Sequence, residues 1–371
     1  MKILLLPNSL KGSLSARQTA RVLQRALGKK HQVKSFLLSD GGDGFIDFFI
    51  TNYSSSKVVP LKTHNAFGKM ISTSYLWLPN TKTAVIETAR ICGLGMASKK
   101  ELDPLGASSY GVGGAILHAL KKGAQKIYIG LGGVACNDGG AGIAQALGAH
   151  FLDKKGNQLP IGAKPLLKLT ALDIIALKKK LRNVKIYAIA DVTNPLLGAH
   201  GSARVYGPQK GATPSQVLLL EKALTQYARI VQKTTGKSIA HTPSTAAAGG
   251  LCAGLYGLCG AKIILGADFL HKNLPLTKWV KWADLVVTSE GKLDEQTLYG
   301  KAPLAALQAA AHAQKPILFI CGQYEEKVLR KLPRNLKLQI LCLSDFAKNQ
   351  TDSRLHTSYY LQQVARILND E

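Results

Sequence analysis

Residues 126–151 read KIYIGLGGVACNDGGAGIAQALGAHF, and the rest of the chain is organised around this stretch. The segment 127–129 predicts a short buried strand, six glycines follow within 130–142, and an alanine-rich helix comes next. Glycines let backbone N–H groups converge, and a helix N-terminus carries a partial positive charge, so such a turn can hold a phosphate or a carboxylate. The same pattern is also typical of a tight connection in which Asn137 and Asp138 only cap the helix. Both interpretations stay open at this point.

Length and composition favour a two-domain α/β protein. The chain has 371 residues, which is more than one ordinary hydrophobic core accommodates. Hydrophobic residues make up 46%, aromatic residues only 6%, and 36 residues are glycine. This balance suits an α/β enzyme better than a β-sandwich or a coiled coil.

The chain is strongly basic, with 48 Lys and Arg residues against 22 Asp and Glu residues and a formal net charge of +26. Such a charge raises the question of nucleic acid, anionic lipid or phosphorylated substrates as partners. The basic residues are scattered, however, and their densest clusters, such as 178–182, fall in predicted turns and helix ends. Because no basic stripe alternates with aromatic residues, we expect no nucleic-acid partner. A basic nucleic-acid-binding protein remains the non-enzymatic alternative.

Cysteine spacing and hydropathy indicate a cytoplasmic protein. The six cysteines form no C-x-x-C pair and lie mostly among apolar or glycine residues, which is typical of reduced thiols. Cys136 lies in the central turn, but no histidine neighbours it in sequence, so we expect it to pack rather than to react. No segment of the sequence predicts a signal peptide or a membrane span, and we expect no membrane partner.

Polar loops with glycines follow two predicted strands near the N-terminus. A strand over 2–6 leads into a loop that carries Lys11, and a strand over 33–38 leads into the loop SDGGDG at 39–44. Open α/β sheets bind ligands at the carboxyl ends of their strands. We therefore expect Lys11 to contact phosphate, and the two aspartates of the second loop to suit Mg²⁺ bound partly through water.

The C-terminal part of the chain alternates strands and helices. A strand over 283–288 leads into a polar loop over 289–297, and helices and strands then alternate to the end. This pattern is closer to the N-terminal β-α-β segment than to the more irregular middle. The two chain ends are therefore predicted to form one parallel sheet, with the middle inserted as a second domain.

Two phosphate-binding patterns are present only in weak form. Gly236-Lys237-Ser238 supplies the end of a Walker A motif, but Val231 occupies the place of its first glycine. Gly130–Ala135 satisfies G-x-G-x-x-A after a strand, and Asp153 follows at about the spacing that dinucleotide sites use. Helical pattern, however, begins only after the Asn-Asp-Gly-Gly sequence. A nucleotide-dependent oxidoreductase that uses Gly130–Ala135 is therefore the enzymatic alternative.

Carboxylates and lysines recur at glycine-bearing strand ends along the chain. They are Asp40, Asp138, Asp191, Glu290 and Asp294, joined by Lys11, Lys210 and Lys301. Phosphoryl transfer needs such a mixture, because cations and Mg²⁺ neutralise the transferred group while a carboxylate orients the attacking hydroxyl. The pattern favours a kinase.

The same loops resemble the motifs of the bacterial type-1 glycerate kinases. The resemblance rests on NSLKGS at 8–13, SDGGDG at 39–44, GGVACNDGGAG at 132–142, ADVTNPL at 190–196, GPQKGA at 207–212, VVTSEGKLDEQT at 286–297 and GKAP at 300–303. These segments follow one another in the order of the family and cover nearly the whole chain.

The resemblance implies an enzyme that phosphorylates D-glycerate with ATP and Mg²⁺, usually giving 2-phosphoglycerate. It also implies a two-domain α/β fold with a flavodoxin-like parallel sheet. Both chain ends, 1–60 plus 285–371, would form the flavodoxin-like domain, and 61–284 the inserted second α/β domain. D-glycerate and ATP are the expected small-molecule partners, and assembly as a homodimer is left open.

Residue type and loop position suggest individual roles. Asp191, Asp138 and Lys11 are the expected catalytic residues: one of the two aspartates orients the substrate hydroxyl, and the lysine contacts phosphate or the glycerate carboxylate. Asp40 and Glu290 are the expected Mg²⁺ ligands. The residues expected to bind substrate or nucleotide are Ser13, Gly41, Gly42, Gly132, Gly133, Asn137, Gly139, Gly140, Asn194, Gln209, Lys210, Gly211, Asp294, Gln296 and Lys301.

Five positions depart from the family pattern. Asn8 replaces the usual aspartate, Val134 and Cys136 replace two hydroxyl residues of the central turn, and Ser289 replaces a glycine. Gly114 stands where an acidic or amide residue is common. These departures leave open how fast the enzyme is and which small hydroxy acid it prefers.

Overall fold

The structure is a computed structural model that describes residues 1–10, 12–39, 41–42, 44–298, 301–333 and 335–370. The predictions for Lys11, for Asp40 and Asp43 of the loop 39–44, and for the side chain of Gln296 lie outside the described residues.

The strands run through the whole described chain. In chain order they are β1 Lys2–Pro7, β2 Gln32–Ser35, β3 Lys57–His64, β4 Met70–Leu78, β5 Thr83–Glu87, β6 Lys126–Leu131, β7 His150–Leu152, β8 Ala171–Asp173, β9 Lys185–Ala190, β10 Lys262–Leu265, β11 Leu285–Leu293, β12 Ile317–Tyr324 and β13 Leu338–Cys342.

The α-helices lie between and after these strands. In chain order they are α1 Ala16–Leu27, α2 Phe45–Asn52, α3 Ala89–Cys92, α4 Tyr110–Lys121, α5 Ala141–Ala146, α6 Ile175–Leu181, α7 Ser202–Tyr206, α8 Pro214–Thr235, α9 Leu251–Gly257, α10 Gly266–Asn273, α11 Leu276–Trp282, α12 Glu295–Leu298, α13 Ala302–His312, α14 Glu326–Leu329, α15 Gln350–Leu355 and α16 Thr357–Asp370.

Local signals set the ends of two long helices. α1 begins after Ser15, whose side chain accepts a hydrogen bond from the Gln18 backbone, while the Gln18 side chain accepts one from the Ser15 backbone. Thr213 and Gln216 form the same capping box before α8. Gly236 ends α8 with φ of 74°, a backbone conformation that favours glycine.

One sheet joins the two ends of the chain. Its order is β2-β1-β11-β12-β13, and every neighbouring pair is parallel. Leu4 pairs with Val286, and Val286 pairs with Ile317. Numbered along the sheet's own strands, this is the 2-1-3-4-5 order of flavodoxin-like folds. The predicted α/β class and the parallel sheet from both chain ends are confirmed.

The middle of the chain forms a second, mixed sheet. Its order is β10-β9-β6-β5-β4-β3, with β5, β6 and β9 parallel and β3, β4 and β5 antiparallel. β7 and β8 form a separate antiparallel pair. Because β5, β6 and β9 run in the same direction, their carboxyl ends share one edge of the sheet.

The chain packs as two compact units. Unit 1 contains 1–40, 47–52 and 265–371, and unit 2 contains 41–46 and 53–264. Residues 265–284 group with the chain ends, and Phe269 of α10 packs against Phe48 with ring centroids 5.5 Å apart. The domain boundaries predicted at 60/61 and 284/285 stay a prediction.

One loop differs from the sequence-based prediction. β11 continues to Leu293, well past residue 288, because its second half pairs with β12. Glu290 therefore lies on a strand. Helix α4 begins at Tyr110, and a Cβ at Gly113 would lie 2.6 Å from the Ala146 Cβ. That glycine lets α4 and α5 pack closely.

Within the described part of the chain, none of the helices combines the length and the apolar character that a membrane span requires.

Candidate active site

Asp138 holds together the turn that follows β6. Its Oδ2 accepts hydrogen bonds from the Ser109 backbone N–H at 2.8 Å, the Ser109 hydroxyl at 2.9 Å and the Gly142 N–H at 3.1 Å. The Ser108 hydroxyl donates to the same oxygen, and the Gly140 N–H donates to Oδ1 at 3.2 Å. The residue is 0% exposed. Both oxygens are thus used inside the fold, which favours an anchoring role over contact with substrate; the predicted catalytic role stays a prediction.

The glycines after Asp138 are buried. A Cβ at Gly139 would lie 2.8 Å from the Tyr227 ring, and a Cβ at Gly140 would lie 2.9 Å from the Leu251 carbonyl oxygen. These two glycines are therefore required by packing, whether or not they also bind a ligand.

Lys210 reaches the same turn from the segment before α8. The side chain is 2% exposed, and its Nζ donates a hydrogen bond to the Cys136 carbonyl oxygen at 2.7 Å. Burial lowers the pKa of Lys210 from 10.5 to about 8, and the nearby negative charge of Asp138 opposes that fall. A Cβ at Gly249 would overlap this pair, so glycine leaves the room that the ammonium occupies. The contact favours a role in fixing the turn over direct contact with phosphate.

Asn137 lies between these two anchors. It is 0% exposed, and its Nδ2 donates to the Pro104 carbonyl oxygen at 3.2 Å. Its Oδ1 has no hydrogen-bond partner among the described residues. The Pro104 carbonyl fixes the amide orientation, since the flipped amide would set two acceptors against each other. Asn137 therefore offers one acceptor to a donor such as a hydroxyl or a water molecule.

Cys136 behaves as a packing residue. A hydrogen bond with the Cys92 thiol and complete burial raise the pKa of Cys136 well above 9. All six cysteines are buried and unpaired.

Gly41 and Gly42, in the loop before α2, pack directly on the strand ends of unit 2. A Cβ at Gly132 would lie 2.7 Å from the Gly42 Cα, and one at Gly41 would lie 2.5 Å from the Ile189 carbonyl oxygen. The backbone of this loop thus covers the start of the glycine run after β6. A dinucleotide fingerprint needs that run open to a pyrophosphate and needs the helix to begin within it, whereas α5 begins only at Ala141. The covered glycine run and the late start of α5 disfavour the oxidoreductase alternative.

Glu87 anchors this loop and was not anticipated from the sequence. It lies at the end of β5, where its carboxylate accepts from the Gly44 N–H at 3.2 Å and the Ile46 N–H at 2.9 Å. The Arg90 Nε lies 3.5 Å from the same carboxylate. A carboxylate at a strand end is the signal that identified the other candidates, so the same criterion applied to β5 finds Glu87.

Asp191 follows β9 on the same edge of the sheet. It is half-buried, and its negative charge, after burial, contributes to raising the pKa of Tyr206 to about 12. The Tyr206 hydroxyl donates to Asn194 Oδ1 at 3.0 Å, which fixes the loop after Asp191. Among the predicted residues nearby in sequence, Gln209 and Gly211 are exposed.

A second group of predicted residues lines a cavity in unit 1. The cavity measures about 250 Å³ and is bordered by Ser13, Glu290, Asp294 and Lys301. Lys292 and Arg354 also line it and were not anticipated. The predicted site residues described here thus fall into two groups, one in each unit.

Glu290 and Lys301 form a buried ion pair in this cavity. Their side chains are 4% and 8% exposed, and Nζ lies 3.0 Å from Oε1. The Thr297 hydroxyl donates to Oε2 at 2.8 Å, and Lys301 also lies 3.8 Å from Asp294 Oδ1. A metal ion at Glu290 would have to displace the ammonium. These contacts favour Glu290 as the counter-ion of Lys301, and its predicted metal-binding role stays a prediction.

The described residues contain no cluster of three or more His, Cys, Asp or Glu side chains that could hold a metal ion. Mg²⁺ commonly enters with a phosphate ligand and uses only one or two carboxylates of the protein. Asp294 suits that mode, because it is a hard oxygen donor with a partly exposed side chain in the cavity.

A sequence profile described as the glycerate kinase family matches residues 3–369. The chain belongs to the glycerate kinase family. The predicted family, and the prediction that the chain is a kinase, are confirmed. Belonging to this family also weighs against both alternatives, the oxidoreductase and the nucleic-acid-binding protein.

Named relatives extend this finding. The Glycerate 2-kinase of Escherichia coli K12 is 36% identical over 331 residues, covering 88% of this chain and 87% of the relative. A Glycerate kinase of Haemophilus influenzae is 32% identical over 377 residues and covers 99% of both chains. A crystal structure assigned to glycerate kinase 2 of Salmonella typhimurium LT2 superposes with a TM-score of 0.80 at 33% identity, covering 100% of this chain and 97% of that one.

Proposed function

We propose that this chain is an ATP-dependent glycerate kinase that transfers the γ-phosphoryl group to a hydroxyl of D-glycerate, giving 2-phospho-D-glycerate with the help of Mg²⁺. One observation carries the proposal: the glycerate kinase family match spans residues 3–369. Residues of the types that phosphoryl transfer uses support it, since Asp191 follows β9 and Asp294 and Lys301 border the cavity of unit 1. The relative named Glycerate 2-kinase supports the choice of carbon.

Asp191 is the carboxylate that we propose to act on the substrate hydroxyl. Asp138 is fully enclosed and bonded by five donors, whereas Asp191 is half-buried at the end of β9. In the proposed reaction the hydroxyl oxygen attacks the γ-phosphorus and its proton passes to Asp191. The bond between the γ-phosphorus and the bridging oxygen breaks, and ADP leaves.

We propose that lysines and Mg²⁺ neutralise the negative charge of the transferred phosphoryl group. When bound, Mg²⁺ supplies positive charge to the phosphate oxygens. We propose Asp294 and Asp40 as the residues that hold it. Lys301, oriented by Glu290, supplies a fixed ammonium 3.8 Å from Asp294, and Lys210 fixes the turn that carries Asn137.

The two compact units are proposed to correspond to the two domains implied by the family resemblance. Residues 265–284 would then belong to the flavodoxin-like domain.

The experiment is a coupled ADP-release assay with ATP, Mg²⁺ and D-glycerate, run on the wild type and on Asp191→Asn. General-base assistance contributes about 10²-fold or more, so Asp191→Asn is expected to lose at least that much turnover. Asp173→Asn is the matched control, because Asp173 is an exposed aspartate of unit 2 at the end of β8. Turnover by Asp191→Asn within about threefold of the wild type would remove the role proposed for this residue.

A further inference from the structure

The cavity of unit 1 lies at the carboxyl ends of its parallel strands. Leu10 and Ser13, which follow β1, form one side, and residues 290–292 of β11 with Asp294, which follows that strand, form another. In a sheet of this order the topological switch point lies between β1 and β11, and such points are where doubly wound sheets bind ligands.

Three residues with cationic side chains border this one cavity. They are Lys292, Lys301 and Arg354. Glu290 fixes the buried Lys301 ammonium at 3.0 Å, and the exposed Lys292 ammonium pairs with Glu325 at 2.6 Å. Glycerate has a single carboxylate, whereas the triphosphate of ATP spreads several negative charges over neighbouring groups. Glu290 and Asp294 also border the cavity, and Asp294 is the carboxylate proposed to hold Mg²⁺. Three cations together with that metal ion match the polyanion better than they match one carboxylate.

Backbone without side chains forms part of the cavity wall. Gly291 of β11 and Gly322 of β12 both line it, and a Cβ at Gly322 would lie 2.9 Å from the Gly291 carbonyl oxygen. Glycine at such a place lets a ligand approach the backbone closely. The Ser13 and Thr357 hydroxyls, which are hydrogen-bonded to each other, add polar groups to the same wall.

We propose that this cavity binds the triphosphate of the nucleotide rather than the carboxylate of glycerate. The inference rests on the proposed function and adds which unit takes the nucleotide. It assigns Lys292 and Arg354 as phosphate contacts beside Lys301.

The test uses the substitutions Arg354→Ala and Lys292→Met. Both residues are exposed, and replacing them leaves the buried ion pair of Glu290 and Lys301 intact. ATP, inorganic tripolyphosphate and D-glycerate are titrated separately into each variant by calorimetry. Arg366→Ala is the matched control, because Arg366 is an exposed arginine of α16 outside the cavity lining. Thermal unfolding checks that each variant is folded.

We expect each variant to bind ATP and tripolyphosphate about tenfold more weakly and D-glycerate less than about twofold more weakly. The Arg366 variant is expected to bind all three ligands as the wild type does. Weaker D-glycerate binding with ATP unaffected, equal weakening of both, or no effect on either would overturn the inference. If the wild type releases no ADP in the coupled assay, the proposed function fails. The tripolyphosphate titrations still decide the inference in that case.

Discussion

Replacing Lys210 by methionine gives the sharpest test of the buried turn. Methionine has a similar length but carries no charge, so it removes the burial penalty together with the hydrogen bond to the Cys136 carbonyl at 2.7 Å. The fall of the Lys210 pKa from 10.5 to about 8 corresponds to roughly 3 kcal/mol at neutral pH. An unpaired buried carbonyl costs about 1–3 kcal/mol. The two effects oppose each other. The free energy of unfolding of the variant should therefore lie within about 2 kcal/mol of the wild-type value at neutral pH.

Lys210 is expected to make the free energy of unfolding rise with pH. The unfolded chain keeps the Lys210 proton up to about pH 10.5, whereas the folded chain releases it above about pH 8. Between these values the unfolded state binds more protons, so this lysine makes the free energy of unfolding rise with pH. Turnover should fall over the same window if the ammonium fixes the turn that presents Asn137. Stability and activity are therefore expected to move in opposite directions.

The assay is denaturant unfolding of the wild type and Lys210→Met from neutral pH to about pH 10, with turnover measured alongside. The difference between the two curves isolates this group, and Lys178→Met, an exposed lysine of α6, is the control. A difference that stays flat with pH above 8 would show that Lys210 is not a buried ammonium, and the reasoning would fail.

Three further predictions concern Asp138, Lys301 and the net charge of the chain. Asp138→Asn puts an amide N–H₂ against N–H and O–H donors and should lower the free energy of unfolding by about 3 kcal/mol, measured by urea titration. An inactive variant of full stability would instead indicate a catalytic role for Asp138. Lys301→Met leaves Glu290 buried without its counter-ion and should lower the free energy of unfolding by about 3–5 kcal/mol. Adding Glu290→Gln should restore most of that stability without restoring activity. Equal stability of the single and double variants would contradict this prediction. Because the net charge is +26, the KM for the anionic substrates should rise between about 0.05 M and about 0.5 M salt, and a KM independent of salt would exclude long-range attraction.

The fold was accessible from the sequence because its signals are local. Apolar runs such as 2–6 and 317–321 predict buried strands, and the alternation of strands and helices at both ends predicts a parallel sheet. Where pairing across the sheet decided the outcome, the prediction failed. Glu290 was expected in a loop because glycine and charged residues surround it, but pairing with Cys321 of β12 extends the strand through it.

The candidate site was predictable by residue type but not by role. The Asn137-Asp138 pair stands out in the sequence, yet the role of Asp138 depends on Ser108 and Ser109, thirty residues earlier along the chain. Likewise, nothing local indicates that Glu87 receives two N–H groups of the loop 41–46. Such contacts depend on tertiary packing, which short sequence patterns do not encode.

The most direct test of the central claim is to identify the product. Wild-type protein is incubated with ATP, Mg²⁺ and D-glycerate, and the mixture is analysed by phosphorus and proton NMR. The account predicts stoichiometric ADP and 2-phospho-D-glycerate, with no product when D-glycerate is omitted. Absence of any phosphorylated glycerate, under conditions in which the protein is folded, would contradict it.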